Sequence, residues 1–343
     1  MADQVNYLGW FLRRITPALG PRPLDGKPHW GSSFTPDGSP LEYSLNWKQK
    51  THRQTVRFTI EPVGEAAGSA ADILNQLAAK DALTGMTDEV PGLDLQRFIL
   101  LSSETGVPNE AGQEVLAKLP SGHPKVLTLL AFDLEGGNIV AKAYYNPGPK
   151  ALLTGKPTKA IVFDAIRKCN GPQGSYSAGV QVLDDYLASY SAAEQPQVFL
   201  LANDCVVDSP ASRLKVYVST PITTLAAASK AITLKGRLSG PAIEPVVNAV
   251  EEFWEHLFGL SSTDAVTQDR EVLPPDSRGV LVYEIRPTIA GSKDADVEVK
   301  LHMPPSWLGN TDAEVCKVLS SWFEKHGHPE LASSYQQKLV SAL

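Results

Sequence analysis

The chain has 343 residues, is 43% hydrophobic and 20% charged, and carries a formal net charge of −7. That length suits one large domain or two ordinary ones with ample core, and the acidic balance argues against general nucleic-acid binding. No run approaches the roughly 20 apolar residues that cross a bilayer, and three cysteines (Cys169, Cys205, Cys316) without CxxC spacing offer neither a disulfide framework nor an ordinary zinc site. The opening "MADQVNYLGWFLRRITPALG" places Asp3 early and lacks a sustained apolar stretch, so no secretory signal is read there and a cytoplasmic protein is expected.

In chain order, "PLEYSLNW" (40–47) and "TVRFTIEP" (55–62) read as a first strand pair, followed by helix-like "AADILNQLAAKDAL" (70–83). "VLTLLAFDL" (126–134) and "NIVAKAYYNP" (138–147) form the next pair across the short link "EGG". After helical "AGVQVLDDYLASY" (178–190) come "QVFLLANDC" (197–205) and "SRLKVYVST" (212–220). Helical "EPVVNAVEEFWEHLF" (244–258) precedes "VLVYEIRP" (280–287) and "VEVKLHMP" (297–304), and "DAEVCKVLSSWFEKHG" (312–327) closes the series. Helices alternating with strand pairs, about four times over, constitute an internal structural repeat.

Period-2 alternation gives each strand an apolar and a polar face. Val56, Phe58 and Ile60 oppose Arg57, Thr59 and Glu61; Leu214, Val216 and Val218 oppose Arg213, Lys215, Tyr217 and Ser219. Val299, Leu301 and Met303 oppose Glu298, Lys300 and His302, and Leu41, Tyr43, Leu45 and Trp47 oppose Glu42, Ser44 and Asn46. Two α+β architectures fit: a sandwich with a wetted polar face, or a closed antiparallel barrel whose polar face lines the interior. Eight strands in hairpins, each matched by helices, favour the barrel.

A single lysine on a polar strand face is ordinarily solvated. Here a cation recurs shortly before a proline in all four hairpins, at Arg57, Lys142, Lys215 (with Arg213) and Lys300. Gathered in one lumen, five cations repel strongly unless a multiply charged anion sits among them, and a diphosphate is the natural candidate. Two residues further along the same faces stand Tyr144, Tyr217 and His302. Rings beside a diphosphate suit the shielding of an allylic carbocation.

The ordered set "PLEYSLNW", "RFTIEP", "AFDL…KAYYNP", "RLKVYV", "YEIRP" and "VKLHMP", with "ITPALGPRP" near the start, resembles the fungal aromatic prenyltransferases of the dimethylallyltryptophan synthase family. The likeness runs from about residue 8 to about residue 328, and implies one ABBA domain over residues 1–343, an antiparallel barrel ringed by helices. It implies transfer of a dimethylallyl group from dimethylallyl diphosphate to an electron-rich aromatic acceptor in secondary metabolism. No metal or other cofactor is implied, and neither "LDDYLASY" nor "NDCVVD" has the spacing of a magnesium-diphosphate motif. The implied partners are small molecules, the prenyl diphosphate and the aromatic acceptor, with room for a homodimer and no nucleic acid or membrane. Arg57, Lys142, Arg213, Lys215 and Lys300 would hold the diphosphate; Tyr144, Tyr217 and His302 would shield the cation. Glu42 resembles the acceptor-side carboxylate that orients and activates the ring; its structural alternative is a cross-strand ion pair with Arg57.

Three departures stand out. Indole-prenylating members carry a lysine where this chain has Leu129, which points away from a tryptophan acceptor handled in the usual way. His302 stands where tyrosine is usual. Four hairpins occur where the family has a fifth, so the expected barrel lacks its last strand pair. A catalytically impaired remnant that only binds diphosphate or ligand is the competing expectation.

Overall fold

Eight strands pair in strict chain order to make one sheet in the computed structural model, which describes residues 2–23, 26–47, 54–121, 123–191, 195–259, 269–309 and 311–342. They are β1 (Leu41–Trp47), β2 (Gln54–Ile60), β3 (Thr128–Glu135), β4 (Asn138–Tyr145), β5 (Gln197–Asp204), β6 (Leu214–Pro221), β7 (Arg278–Arg286) and β8 (Asp296–His302). All eight fall on the segments that alternation marks as strands. The junctions from β1 to β5 are antiparallel. Between β3 and β4, Glu135 pairs with Asn138, which leaves Gly136 (φ 56°) and Gly137 (φ 84°) as a two-residue turn. Consecutive positive φ values favour glycine, and this turn hand matches the twist of the flanking strands.

The chain divides into two compact units. The first comprises residues 1–180, 198–216 and 284–296. Its core is built on the apolar faces of β2 and β3. Phe58 and Phe132 are in register across the ladder and stack at 5.3 Å, and Trp10 meets Phe132 edge-on at 5.2 Å. The helix Thr158–Lys168 buries Ile161, Val162, Phe163 and Ile166. Apolar area of this kind supplies the main drive to fold, on the order of 2 kcal/mol per fully buried large side chain.

Two expectations need correction in this unit. The helical run at 70–83 is helical only from Leu77 to Thr84. Asn75 adopts φ 53°, and its side chain bonds Pro62 O and the Gly64 amide. Asp72 then accepts the Gln76 and Leu77 amides, so the helix starts after this cap. The apolar face of β1 is the second. Tyr43 is 64% and Leu45 50% exposed, whereas Phe58 and Ile60 beside them are buried.

The second unit comprises residues 181–197, 217–283 and 297–343. Its helix Glu244–Phe258 matches the periodic segment residue for residue, with a proline in its first turn and Gly259 left-handed at its end. The helix Asp312–Lys325 opens on a capping box in which Thr311 and Glu314 satisfy each other's backbone amides. Phe253 and Trp322 join the two helices edge to face at 4.8 Å. On β7, Gly279 sits so close to Ile222, Trp307 and Leu301 that a Cβ would lie 2.8 Å from Ile222 Cδ1.

Candidate active site

The polar faces of β2 to β7 in the first unit carry a continuous chain of opposite charges. Ladder register puts Arg57 opposite Asp133, and Lys142 opposite Asp204. Arg57 donates from Nε to Asp133 Oδ1 at 2.5 Å and from Nη2 to Oδ2 at 3.0 Å. Lys142 donates to the same Oδ2. Further along, Asp204 accepts from Lys215 Nζ at 2.7 Å and from Arg213 Nε at 2.9 Å, and Arg213 Nη1 donates to Glu284 at 2.7 Å. Four of the five expected cations thus belong to one network.

The sequence reading missed the three carboxylates of that network, and with them its picture of bare, mutually repelling cations is corrected. Asp133, Asp204 and Glu284 separate the cations, which outnumber them by one charge. Their positions were available from alternation: each lies on the same strand face as the cations it binds. Such pairing is what allows Lys142 (3% exposed) and Lys215 (5%) to stay buried.

The electrostatics follow from burial and from these neighbours. Burial pushes the Lys142 ammonium down to about 8, helped by the positive charges of Lys215 and Arg57 and opposed by Asp133 and Asp204. Lys215 is also lowered by burial, with Asp204 pulling the other way. Burial would raise Asp204, but Lys215, Arg213 and Lys142 outweigh it and hold the carboxyl far below its ordinary range. Asp133 is lowered for the same kind of reason, Arg57 and Lys142 overcoming its burial. The network is a rigid array of N–H donors, aimed by carboxylates that keep the donors charged.

Glu42 shares this polar face. The register Glu42–Thr59–Ala131–Lys142 runs across β1 to β4 as one row, about 14 Å from first to last at ordinary strand spacing. Among the described residues Glu42 has no ion-pair partner: Arg57 stands opposite Ser44 and is taken by Asp133, so the cross-strand pair does not form. The side chain reaches solvent, yet the protein around it raises its carboxyl above the ordinary value. Tyr144 lies two residues past Lys142, buried, opposite Leu129 on β3 and Ala202 on β5.

The remaining candidates belong to the second unit. Tyr217 on β6 and His302 on β8 meet edge to face with centroids 6.3 Å apart. Lys300 lies 3.8 Å from Glu298, both half-exposed. Among the described residues no three His, Cys, Asp or Glu side chains gather as a metal-ion site.

An antiparallel sheet with a polar face of interleaved cations and carboxylates, backed by helices, defines the class: this is the ABBA prenyltransferase fold. A crystal structure described as AnaPT from Neosartorya fischeri superposes with a TM-score of 0.81 at 27% identity, over 99% of this chain and 79% of that one. The family model described as Tryptophan dimethylallyltransferase matches residues 1–338, and the chain belongs to that family. It is 45% identical to Prenyltransferase iacE of Pestalotiopsis fici, over 99% of this chain and 77% of the relative. It is 29% identical to the 7-dimethylallyltryptophan synthase hasE of Aspergillus fumigatus, over 97% of this chain and 71% of that protein. The chain is accordingly an aromatic prenyltransferase.

Proposed function

We propose that the protein is one catalytic domain that takes dimethylallyl diphosphate as donor and prenylates a small electron-rich aromatic ring in the cytoplasm, without a metal ion. The observation that carries this is the convergence of Arg57, Lys142, Arg213 and Lys215 on shared carboxylates, which leaves ordered N–H groups on one polar face. A diphosphate docked on those donors loses its allyl group by heterolysis of the C1–O bond, and both bonding electrons stay on the phosphate oxygen. Pre-positioned cations stabilise that growing negative charge without reorganising, the role that a metal plays elsewhere. The acceptor then attacks the allyl cation: attack through a ring carbon ends with loss of that carbon's proton, which restores aromaticity, and attack through a hydroxyl oxygen ends with loss of the hydroxyl proton.

Glu42 is the residue we assign to the acceptor. Its carboxylate, in the same cross-strand row as Lys142 and without an ion-pair partner among the described residues, is suited to accept the N–H or O–H of the ring and raise its nucleophilicity. Tyr144, Tyr217 and His302 are assigned to shielding the allyl cation, and Lys300 to the diphosphate, on residue type and strand parity. Leu129, directly opposite Tyr144, puts an apolar side chain where a lysine would serve as a base, which favours an acceptor that loses its proton to Glu42 or to the departing diphosphate.

The test is incubation with radiolabelled dimethylallyl diphosphate and a panel of indoles, phenols and aromatic polyketides, with EDTA present. Prenylated product is the expected result. Diphosphate binding with no product from any acceptor would instead describe a binding protein.

A further inference from the structure

Glu61 follows β2 on the strand face that carries Arg57 and Thr59, and it has no part in the proposed diphosphate network. Its amide donates to Pro40 O at 2.8 Å, so the ladder between β1 and β2 continues past its last paired residues. Thr59 stands opposite Glu42, which makes Glu61 the diagonal cross-strand neighbour of Glu42, about 7–8 Å away on the same polar face. The two carboxyl groups keep different company. Glu42 is exposed and has no ion-pair partner among the described residues. Glu61 is 1% exposed and accepts from Trp30 Nε1 at 2.7 Å and from Ser32 Oγ at 2.6 Å.

Those donors belong to a segment, residues 29–34, that is neither helix nor strand. It is nonetheless tied to the ends of two strands. Trp30 packs with Val63 and Ala67 just past β2. Ser32 Oγ in turn accepts the Phe34 amide at 3.1 Å, and Ser33 Oγ accepts the Lys125 and Val126 amides, at 3.0 and 3.4 Å, just ahead of β3. Lys125 Nζ stands over the Trp30 ring, 3.7 Å from its centroid. Irregular backbone held this closely on a rigid scaffold is where positioning groups are found. Packing alone does not call for a carboxyl group at 61, because even a fully bonded one costs more to bury than an apolar side chain of that size.

We infer that Glu61 is a positioning residue for the reaction: through Trp30 and Ser32 it fixes the segment 29–34 beside Glu42 and so narrows the orientations that an aromatic acceptor takes there. This rests on the prenyl-transfer reading, in which Glu42 receives the acceptor. Each oxygen of Glu61 is engaged by a different donor, so the carboxyl group sets the spacing between Trp30 and Ser32 as well as their attachment.

The experiment compares wild type with Glu61→Gln, which satisfies one donor and not both, and with Trp30→Phe, which keeps a ring against Val63 and Ala67 but removes the N–H. Ser32→Ala and Ser32→Thr, at a half-buried position, keep the test open if Glu61→Gln does not fold. Each protein is incubated with dimethylallyl diphosphate and the panel of indoles, phenols and aromatic polyketides, and products are resolved by ring position. Pyrophosphate affinity is measured by calorimetry, and amide hydrogen exchange is followed over residues 29–34. Glu61→Gln, Trp30→Phe and Ser32→Ala are expected to speed exchange in that segment and to add products substituted at other ring positions. Acceptor kcat/KM should fall roughly 10- to 100-fold, the scale of a misplaced reactant, with the pyrophosphate Kd within about twofold of wild type. Ser32→Thr, which restores the hydroxyl, should recover most of the loss. Faster exchange with wild-type kcat/KM and product pattern would make Glu61 a fastening of the core alone and overturn the inference. A matching loss of pyrophosphate affinity, or exchange that no variant alters, overturns it as well. Wild type that prenylates no panel member, while its exchange responds to the variants, would count against the transferase reading and not against the clamp.

Discussion

Arg57 on β2 and Lys142 on β4 are separated by a strand and bind the same carboxylate, Asp133, on the strand between them. One acidic residue therefore sets the distance between two cations that would otherwise repel. Removing its charge leaves a half-buried guanidinium and an almost wholly inaccessible ammonium with fewer partners. Asp133→Asn should lower unfolding stability by about 3 kcal/mol, the usual cost of breaking a buried pair from one side. Urea unfolding checks this. A loss below a few tenths of a kcal/mol would mean that Arg57 and Lys142 are held by other contacts.

Lys142 makes binding pH-dependent. Its ammonium is held near 8 by burial and by Lys215 and Arg57, so free protein loses this charge as pH rises above 8. A bound diphosphate favours the charged form. Pyrophosphate should thus bind more weakly between pH 8 and 9.5 than at pH 7, with uptake of a proton visible as a buffer-dependent heat. Lys142→Arg should abolish the proton uptake. For folding the sign is opposite: a lysine depressed in the folded state makes stability rise as pH increases from about 8 toward its unfolded value near 10.4. Asp133 and Asp204, both depressed, contribute stability above the unfolded carboxyl range near pH 4, which is lost as pH falls through their folded values.

Glu42 separates acceptor chemistry from donor binding. Because Arg57 is taken by Asp133, replacing Glu42 breaks no ion pair among the described residues. Glu42→Gln is expected to reduce kcat by roughly 100-fold, within the range of general acid–base contributions, and to leave the pyrophosphate Kd and the Tm as they were. Steady-state kinetics beside calorimetry make the comparison. Parallel loss of turnover and pyrophosphate affinity would place Glu42 among the supports of the cations.

Much of the fold was legible because strand alternation and helical period are local signals. The eight strands and the helices at 244–258 and 312–325 are where those periods put them. The expected helix at 70–83 failed at Asn75, whose left-handed backbone is stabilised by partners at Pro62 and Gly64 that no local pattern announces. Exposure of Tyr43 and Leu45 escaped for a related reason: alternation tells which residues share a face, not whether anything packs on it. In the site, the cations stood out because one recurs in each of the four hairpins, whereas Asp133, Asp204 and Glu284 were not compared across the hairpins. Parity alone would have paired them with their partners.

Gly279 tests the packing behind β7. A methyl group there would meet Ile222 at 2.8 Å and Trp307 at 3.1 Å, both of them buried. Gly279→Ala should destabilise by about 1–3 kcal/mol, the ordinary cost of overpacking a filled site. Differential scanning calorimetry reads it as a lowered Tm, and an unchanged Tm would mean that the contact relaxes at no cost.

The most direct measurement is a crystal structure with a non-cleavable thio analogue of dimethylallyl diphosphate. The expected result is both phosphates within hydrogen-bond distance of Arg57, Lys142, Arg213 and Lys215, with Asp133 and Asp204 still holding those side chains. A diphosphate bound elsewhere, with these four cations engaged only by their carboxylates, would contradict the assignment of the network as the donor site.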